Sequence, residues 1–222
     1  MGGGNIIAEV TCKHRYFFDI NEYLIAFWQA IQQGWNPQNE VMSKEKYHDI
    51  MSNKSKYPKY IVALAGFCAS YNAKWFGGYA GQVHTKIGTI RNYYDEAVKN
   101  VVKQTSKMKD VIFECDNFLN SNKEFYNCFI YCDPPYKGTT GYGQEFDYEK
   151  YWCKVADLSK NNYVLCSEYE ASDGFRCIWS KELECTLDKN SRHHSIEKLF
   201  VYNDGLLDKY TKQYENSLAN IE

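Results

Sequence analysis

The chain has 222 residues, 44% of them hydrophobic, and a formal net charge of −2. That length holds one domain, or one domain with a sizeable insertion, and the apolar share is enough for a real core. The near-neutral balance exerts no overall pull on nucleic acid, so any DNA contact has to use a local basic surface.

The sequence opens on Met1-Gly2-Gly3-Gly4-Asn5 followed by Ile6-Ile7-Ala8-Glu9-Val10. Glycines leading into a helix form a loop whose backbone approaches a ligand closely. A short strand, Tyr16-Phe17-Phe18, ends at Asp19. An acidic residue closing a second strand about 15 to 20 positions after the glycines is the usual ribose-hydroxyl acceptor of nucleotide-type folds. Leu24, Phe27, Trp28 and Ile31 fall at helical spacing and are assigned to the core, with Gly34 ending that helix. Residues 43–54 start with Ser43 and read as a capped surface helix. Residues 59–71 are apolar on nearly all sides and predict a buried helix. Ser70 to Ala80 mixes aromatics, Lys74 and paired glycines without a period, which is loop chemistry. That loop is either a contact surface carrying Lys74 and Trp75 or a tight aromatic turn on the core. A long helix is expected from about residue 86 to 106, with Lys86, Arg91, Lys99, Lys103 and Lys107 among its polar positions.

Val111 to Glu114 reads as the next strand, followed by Cys115-Asp116-Asn117-Phe118. Phe129-Ile130-Tyr131 reads as a buried strand that stops at Asp133-Pro134-Pro135-Tyr136. Two successive prolines cannot continue a ladder, so the chain leaves the sheet there. The turn holds an acceptor, rigid carbonyls and a flat ring within four residues, a set suited to a planar molecule with an amino group, such as an adenine drawn out of a duplex. In open α/β sheets, ligands bind beyond the carboxyl ends of strands, where this turn falls. Residues 137–146 form a loop, Asp147 is placed as the cap of a helix running to about 159, and Tyr163 to Cys166 is a strand ending in Ser167-Glu168-Tyr169. Residues 173–202 alternate enough for two or three strands, the last from Ile196 to Tyr202, and the polar tail from Leu206 reads as a terminal helix.

The 20 tyrosines and 12 phenylalanines suit a packed core and base stacking equally. The 9 cysteines are odd in number, scattered and without metal-ligand spacing, and they read as reduced, mostly buried thiols of a cytoplasmic protein. No signal peptide is expected, and no apolar run in the sequence is long enough to cross a membrane. His193 and His194 are adjacent and cannot both face one metal from a regular strand, so no metal is expected.

Taken in order, Gly2-Gly3-Gly4-Asn5, Asp19-Ile20-Asn21, Cys115-Asp116-Asn117-Phe118 and Asp133-Pro134-Pro135-Tyr136 resemble the α-class DNA adenine N6-methyltransferases, a family that includes bacterial and phage enzymes acting on GATC-like sites. Ser167-Glu168-Tyr169 and the segment from Arg192 to Tyr202 match less specifically. The resemblance covers nearly the whole chain. It implies an α/β fold, a Rossmann-like methyltransferase sheet for S-adenosylmethionine, with an inserted helical DNA-recognition segment. Residues 1–34 and 108–205 would form the catalytic domain, 35–107 the recognition region and 206–222 a C-terminal tail.

The resemblance implies that Gly2, Gly3, Gly4, Asn5, Asp19, Asn21, Asp116, Asn117, Phe118 and Asp133 hold the cofactor, with Asp19 on its ribose and Asp116 on its adenine amine. Asp133, Pro134, Pro135 and Tyr136 would hold the target adenine. Lys74, Trp75, Arg91, Lys137, Tyr142, Ser167, Arg192 and His193 are the expected substrate or DNA contacts, with Lys189 and His194 as further candidates. The partner implied is double-stranded DNA, met by a monomer or weak dimer without membrane or metal. Relatives carry a preceding segment with a cofactor-binding helix and the first strand, whereas Met1 here stands inside the glycine motif. A shortened form with impaired cofactor binding, a late start, or another segment filling the gap all stay open, and with them the alternative of a cofactor-incompetent DNA-binding or interaction protein.

The adenine amino nitrogen is a poor nucleophile because its lone pair is delocalised into the ring. Asp133 accepting one of its hydrogens and the Pro134 carbonyl the other would draw it toward tetrahedral geometry, provided both acceptors are already in place. Tyr136 would stack on the flipped base.

Overall fold

A computed structural model describes residues 4–84, 88–138, 146–185 and 193–219. They form a mixed α/β protein with parallel and antiparallel sheets, divided into two compact units, Gly2–Phe118 and Leu119–Glu222.

In the first unit, Gly4 leads into α1 (Asn5–Glu9), and β1 (Arg15–Asp19) pairs in parallel with β4 (Val111–Cys115), Arg15 opposite Val111 and Asp19 opposite Cys115. Between them run α2 (Glu22–Gln32), α3 (Lys44–Ser52), α4 (Lys59–Ala63), the short hairpin β2 (Gln82–His84) and β3 (Ile90–Asn92), and α5 (Tyr93–Thr105). Helix α2 starts where Asn21 Oδ1 accepts from the amides of Tyr23 and Leu24, at 3.0 and 3.2 Å. Its apolar stripe, Leu24, Phe27, Trp28 and Ile31, is buried as the spacing predicts, and Trp28 stacks on Phe113 of β4 at 6.0 Å and 9°. The same helix covers the margin of β4. Gln29 Nε2 donates to the Phe113 carbonyl at 2.9 Å and Gln32 Nε2 to that of Val111 at 2.7 Å. Because the Asp116 amide bonds to the Asp19 carbonyl, Val111 and Phe113 are the alternate positions facing away from β1.

Two expectations change here. The apolar run from 59 is buried, but α4 gives way at Leu64–Cys68 to a wider π-helical turn, closed by the Ala69 amide on the Leu64 carbonyl at 3.2 Å. Inside that turn Gly66 lies under the Trp75 ring, which an added Cβ would meet at 2.4 Å. The helix expected from residue 86 starts only at Tyr93. Ile90–Asn92 is paired as a strand, and Asn92 Oδ1 accepts from the Asp95 amide at 3.4 Å, so the cap fixes the later start.

The second unit holds a four-stranded sheet in the order β5-β6-β8-β7, built from β5 (Phe129–Cys132), β6 (Tyr163–Glu168), β7 (Phe175–Cys185) and β8 (His193–Tyr202). Strands β5 and β6 are parallel, and the β6–β8 and β8–β7 pairs are antiparallel. Among the described residues the alternating stretch 173–202 forms two strands. Helix α6 (Tyr148–Leu158), capped by Asp147 Oδ1 on the Lys150 amide at 2.9 Å, buries Tyr151, Trp152 and Val155, with Trp152 4.5 Å from Phe175. Helix α7 (Leu206–Ala219) is tied to β7 by Asp208, fully buried, which accepts from Arg176 Nε at 2.8 Å and Lys212 Nζ at 2.6 Å.

β5 is not the buried strand its composition predicts. It pairs only with β6 among the described residues, and Phe129 is 60% exposed, because the strand lies at the sheet's margin. The thiols also differ from expectation. The eight cysteines whose side chains are described are free, but of these only Cys68, Cys132 and Cys166 are buried, while Cys12, Cys115, Cys153 and Cys177 are exposed. Cys12 precedes β1 and Cys153 lies on the outer face of α6, positions that no core covers. No described helix is long and apolar enough to cross a membrane.

Candidate functional site

The Asp133–Tyr136 corner leaves the carboxyl end of β5, beside the carboxyl end of its parallel neighbour β6. Parallel pairing brings Asp133 against Ser167, whose hydroxyl donates to Asp133 Oδ1 at 3.0 Å. Ser167 is buried and Asp133 exposed, so a fixed donor orients a carboxylate that faces solvent. Pro134 is buried, and among the described residues no hydrogen bond reaches its carbonyl. The Pro135 carbonyl, by contrast, accepts from Tyr148 Oη of α6 at 2.9 Å. Tyr136 meets Tyr169 edge-on, with centroids 4.7 Å apart at 82°. Burial, with the Asp133 and Glu197 charges in support, pushes the Tyr136 phenol up to about 12. The Lys137 side chain is exposed, while its amide donates to Glu168 Oε1 at 2.7 Å.

A second group assembles at the carboxyl ends of β1 and β4. Asp19 Oδ1 accepts from the Asn21 amide at 2.7 Å, and the Asp19 carbonyl accepts from the Asp116 amide at 3.0 Å. Asp19, Asn21, Asp116, Asn117 and Phe118 thus stand at one end of one strand pair, all half-buried. Two carboxylates at such an end can accept from hydroxyls and an amine, and the Phe118 ring adds an apolar face, a set that could hold a nucleoside.

The remaining residues are dispersed. Gly4 caps α1 with φ +76° and is buried against Met108 and Trp28, and Asn5 Oδ1 accepts from Gln104 Nε2 at 2.7 Å. Lys74 is exposed, whereas Trp75 is partly buried against Tyr23, Phe67 and Phe76. Arg91 stands on β3 in a two-pronged pair with Glu96, at 2.9 and 2.6 Å, over the Tyr93 ring. Gly2, Gly3, Tyr142, Lys189 and Arg192 lie outside the described residues, and His193 and His194 are described only as backbone of β8. Among the described residues no group of three or more His, Cys, Asp or Glu side chains is arranged to hold a metal ion.

Two residues of the corner were not singled out by the sequence reading. Tyr148 was read only as part of a helix. Glu168 was noted only for its place beside Ser167, although a carboxylate closing an otherwise apolar strand is a signal that it has internal partners.

No curated protein matches the chain. The family model for D12 class N6 adenine-specific DNA methyltransferases matches residues 44–183, more than half of the sequence. The matched span takes in Asp116, the whole Asp133–Tyr136 corner and Ser167, the residues that the fold places at strand ends. The chain belongs to the D12 class N6 adenine-specific DNA methyltransferase family.

Proposed function

We propose that the protein transfers a methyl group from S-adenosylmethionine to adenine N6 at a specific site in double-stranded DNA. The observation that carries this reading is the corner itself: Asp133 is oriented by Ser167 while the adjacent Pro134 carbonyl has no partner among the described residues. In a family that methylates adenine N6, these two acceptors suit the two hydrogens of the target amino group. By accepting both, they localise the nitrogen lone pair and stabilise the positive charge that develops on it. The prolines keep the acceptors in position, so little reorganisation is needed at the moment of reaction. The target leaves the duplex because its amino group is otherwise engaged in pairing, and Tyr136 stacks on the extruded ring.

S-adenosylmethionine supplies an electrophilic methyl on a sulfonium. Asp19 accepts from its ribose hydroxyls and Asp116 from its adenine amine, with Asn21, Asn117, Phe118, Gly2, Gly3, Gly4 and Asn5 as the further cofactor residues. In this reading, residues 1–34 and 108–205 form a Rossmann-like catalytic domain and 35–107 an inserted recognition region. Lys74, Trp75, Arg91, Lys137, Tyr142, Ser167, Arg192 and His193 are the proposed substrate or DNA contacts.

The test is a titration of labelled S-adenosylmethionine followed by incubation with unmethylated duplex. Saturable binding with label appearing on adenine N6 supports the reading. Absence of binding at millimolar cofactor would leave a DNA-binding remnant instead.

A further inference from the structure

We infer that Glu168 is a positioning residue that holds the Asp133–Tyr136 corner in its working shape, an inference that rests on the methyl-transfer reading. Glu168 is the last residue of β6 and is 1% exposed. A carboxylate withdrawn from water to that degree is costly unless both oxygens find donors. Both do, and both donors are main-chain amides. Oε1 accepts from Lys137 N at 2.7 Å and Oε2 from Tyr169 N at 2.5 Å. Lys137 directly follows Tyr136, so one side chain ties the exit of the corner to the end of the neighbouring strand. Ser167, one residue earlier, ties its entrance through Asp133. Successive strand residues point to opposite faces, so the corner is gripped from both sides of the sheet.

The second amide matters as much as the first. Tyr169, whose amide is held by Oε2, presents its ring to the edge of Tyr136. Glu168 therefore fixes the backbone on both sides of the ring pair that would receive the base. Charge-assisted hydrogen bonds of this kind are short and geometrically demanding. Glutamine has the same shape but only one acceptor oxygen, and its NH2 group would face an amide N–H. Glu168→Gln must release Lys137 or Tyr169, and either release frees Tyr136 to drift. A displacement of about 1 Å at a reacting centre costs on the order of 10²-fold in rate.

The experiment compares the full-length wild type with Glu168→Gln. It measures kcat and KM on unmethylated plasmid DNA, the Kd for S-adenosylmethionine, and amide hydrogen exchange at Lys137 and Tyr169. The expected result is a kcat about 10- to 100-fold lower, a cofactor Kd unchanged within about twofold, and at least one of the two amides exchanging faster. A merely structural role would lower the melting temperature without splitting kcat from cofactor binding. Unchanged kcat, or kcat and cofactor affinity falling in proportion, overturns the inference. If the variant does not fold, exchange in the wild type decides. Protection of both amides relative to the exposed Gly138 supports the pin, and unprotected exchange at Lys137 removes it. Failure of the functional reading shows separately, as a wild type that methylates no DNA at all.

Discussion

Gly4 is the described glycine of the opening motif, and Gly4→Ala separates two reasons for its being glycine. Its φ of +76° lies in the left-handed region, where a Cβ costs about 1–2 kcal/mol. The added methyl would stand 2.4 Å from Met108 Cε and 3.3 Å from Trp28 Cζ2, and Met108 is fully buried, so its chain end has little room to retreat. Overpacking of this kind costs about 1–3 kcal/mol. Together the two terms predict a destabilisation of about 2–5 kcal/mol. Gly34→Ala is the control, since Gly34 has φ +95° but nothing within 4 Å of its Cβ, so only the backbone cost of about 1–2 kcal/mol applies. Equilibrium urea unfolding followed by tryptophan fluorescence measures both, with Trp28 itself reporting on the site. Met108→Ala should partly relieve Gly4→Ala, so the double variant should cost less than the sum of the singles. If Gly4→Ala costs no more than Gly34→Ala, the packing argument is refuted and the glycine is needed only for what approaches it from outside.

Three further outcomes are expected. Asp133→Ala should abolish methyl transfer even at saturating cofactor, because the acceptor acts on the nitrogen that attacks; retained turnover would remove Asp133 from the chemistry. Tyr136→Ala should weaken binding of an extruded base by about 1–3 kcal/mol, read as affinity for a duplex carrying a mismatched adenine; equal affinity would take the ring out of the site. Burial alone would raise the Asp208 carboxyl, but hydrogen bonds from Lys212, the Asp204 amide and Arg176 outweigh it and hold the group below the usual range. A depressed folded pKa gives stability that is fully present above the unfolded value of about 3.9 and is lost as pH falls through the folded one. Asp208→Asn should therefore lower stability at pH 7 and flatten the acid limb of a stability–pH curve; a parallel curve would deny the linkage.

The strand ends were legible because apolar runs stop at carboxylates, at Asp19 and at Asp133, and two helix starts because Ser43 and Asp147 announce the helices they cap. The β2–β3 hairpin was not, since its strands are three residues each and five of the six residues fall on the exposed side, without the alternation that burial imposes. Trp75 reads equally well as a contact or a core residue in one dimension, and only the glycine across from it at position 66 shows where the ring rests. The margin position of β5 depends on which strands flank it, which composition does not encode. Glu168 became conspicuous only once its amide partners, one of them 31 residues away, were visible.

The two glutamines along β4 have a consequence for how copies of the protein behave in crowded solution. A bare strand margin is a template on which another chain can crystallise into a growing ribbon. Side-chain amides from α2 imitate the row of donors a further strand would offer, and so occupy the Val111 and Phe113 carbonyls with the molecule's own material. Leucine at positions 29 and 32 would keep the helix yet strip away that imitation, turning a quiet flank into an adhesive one.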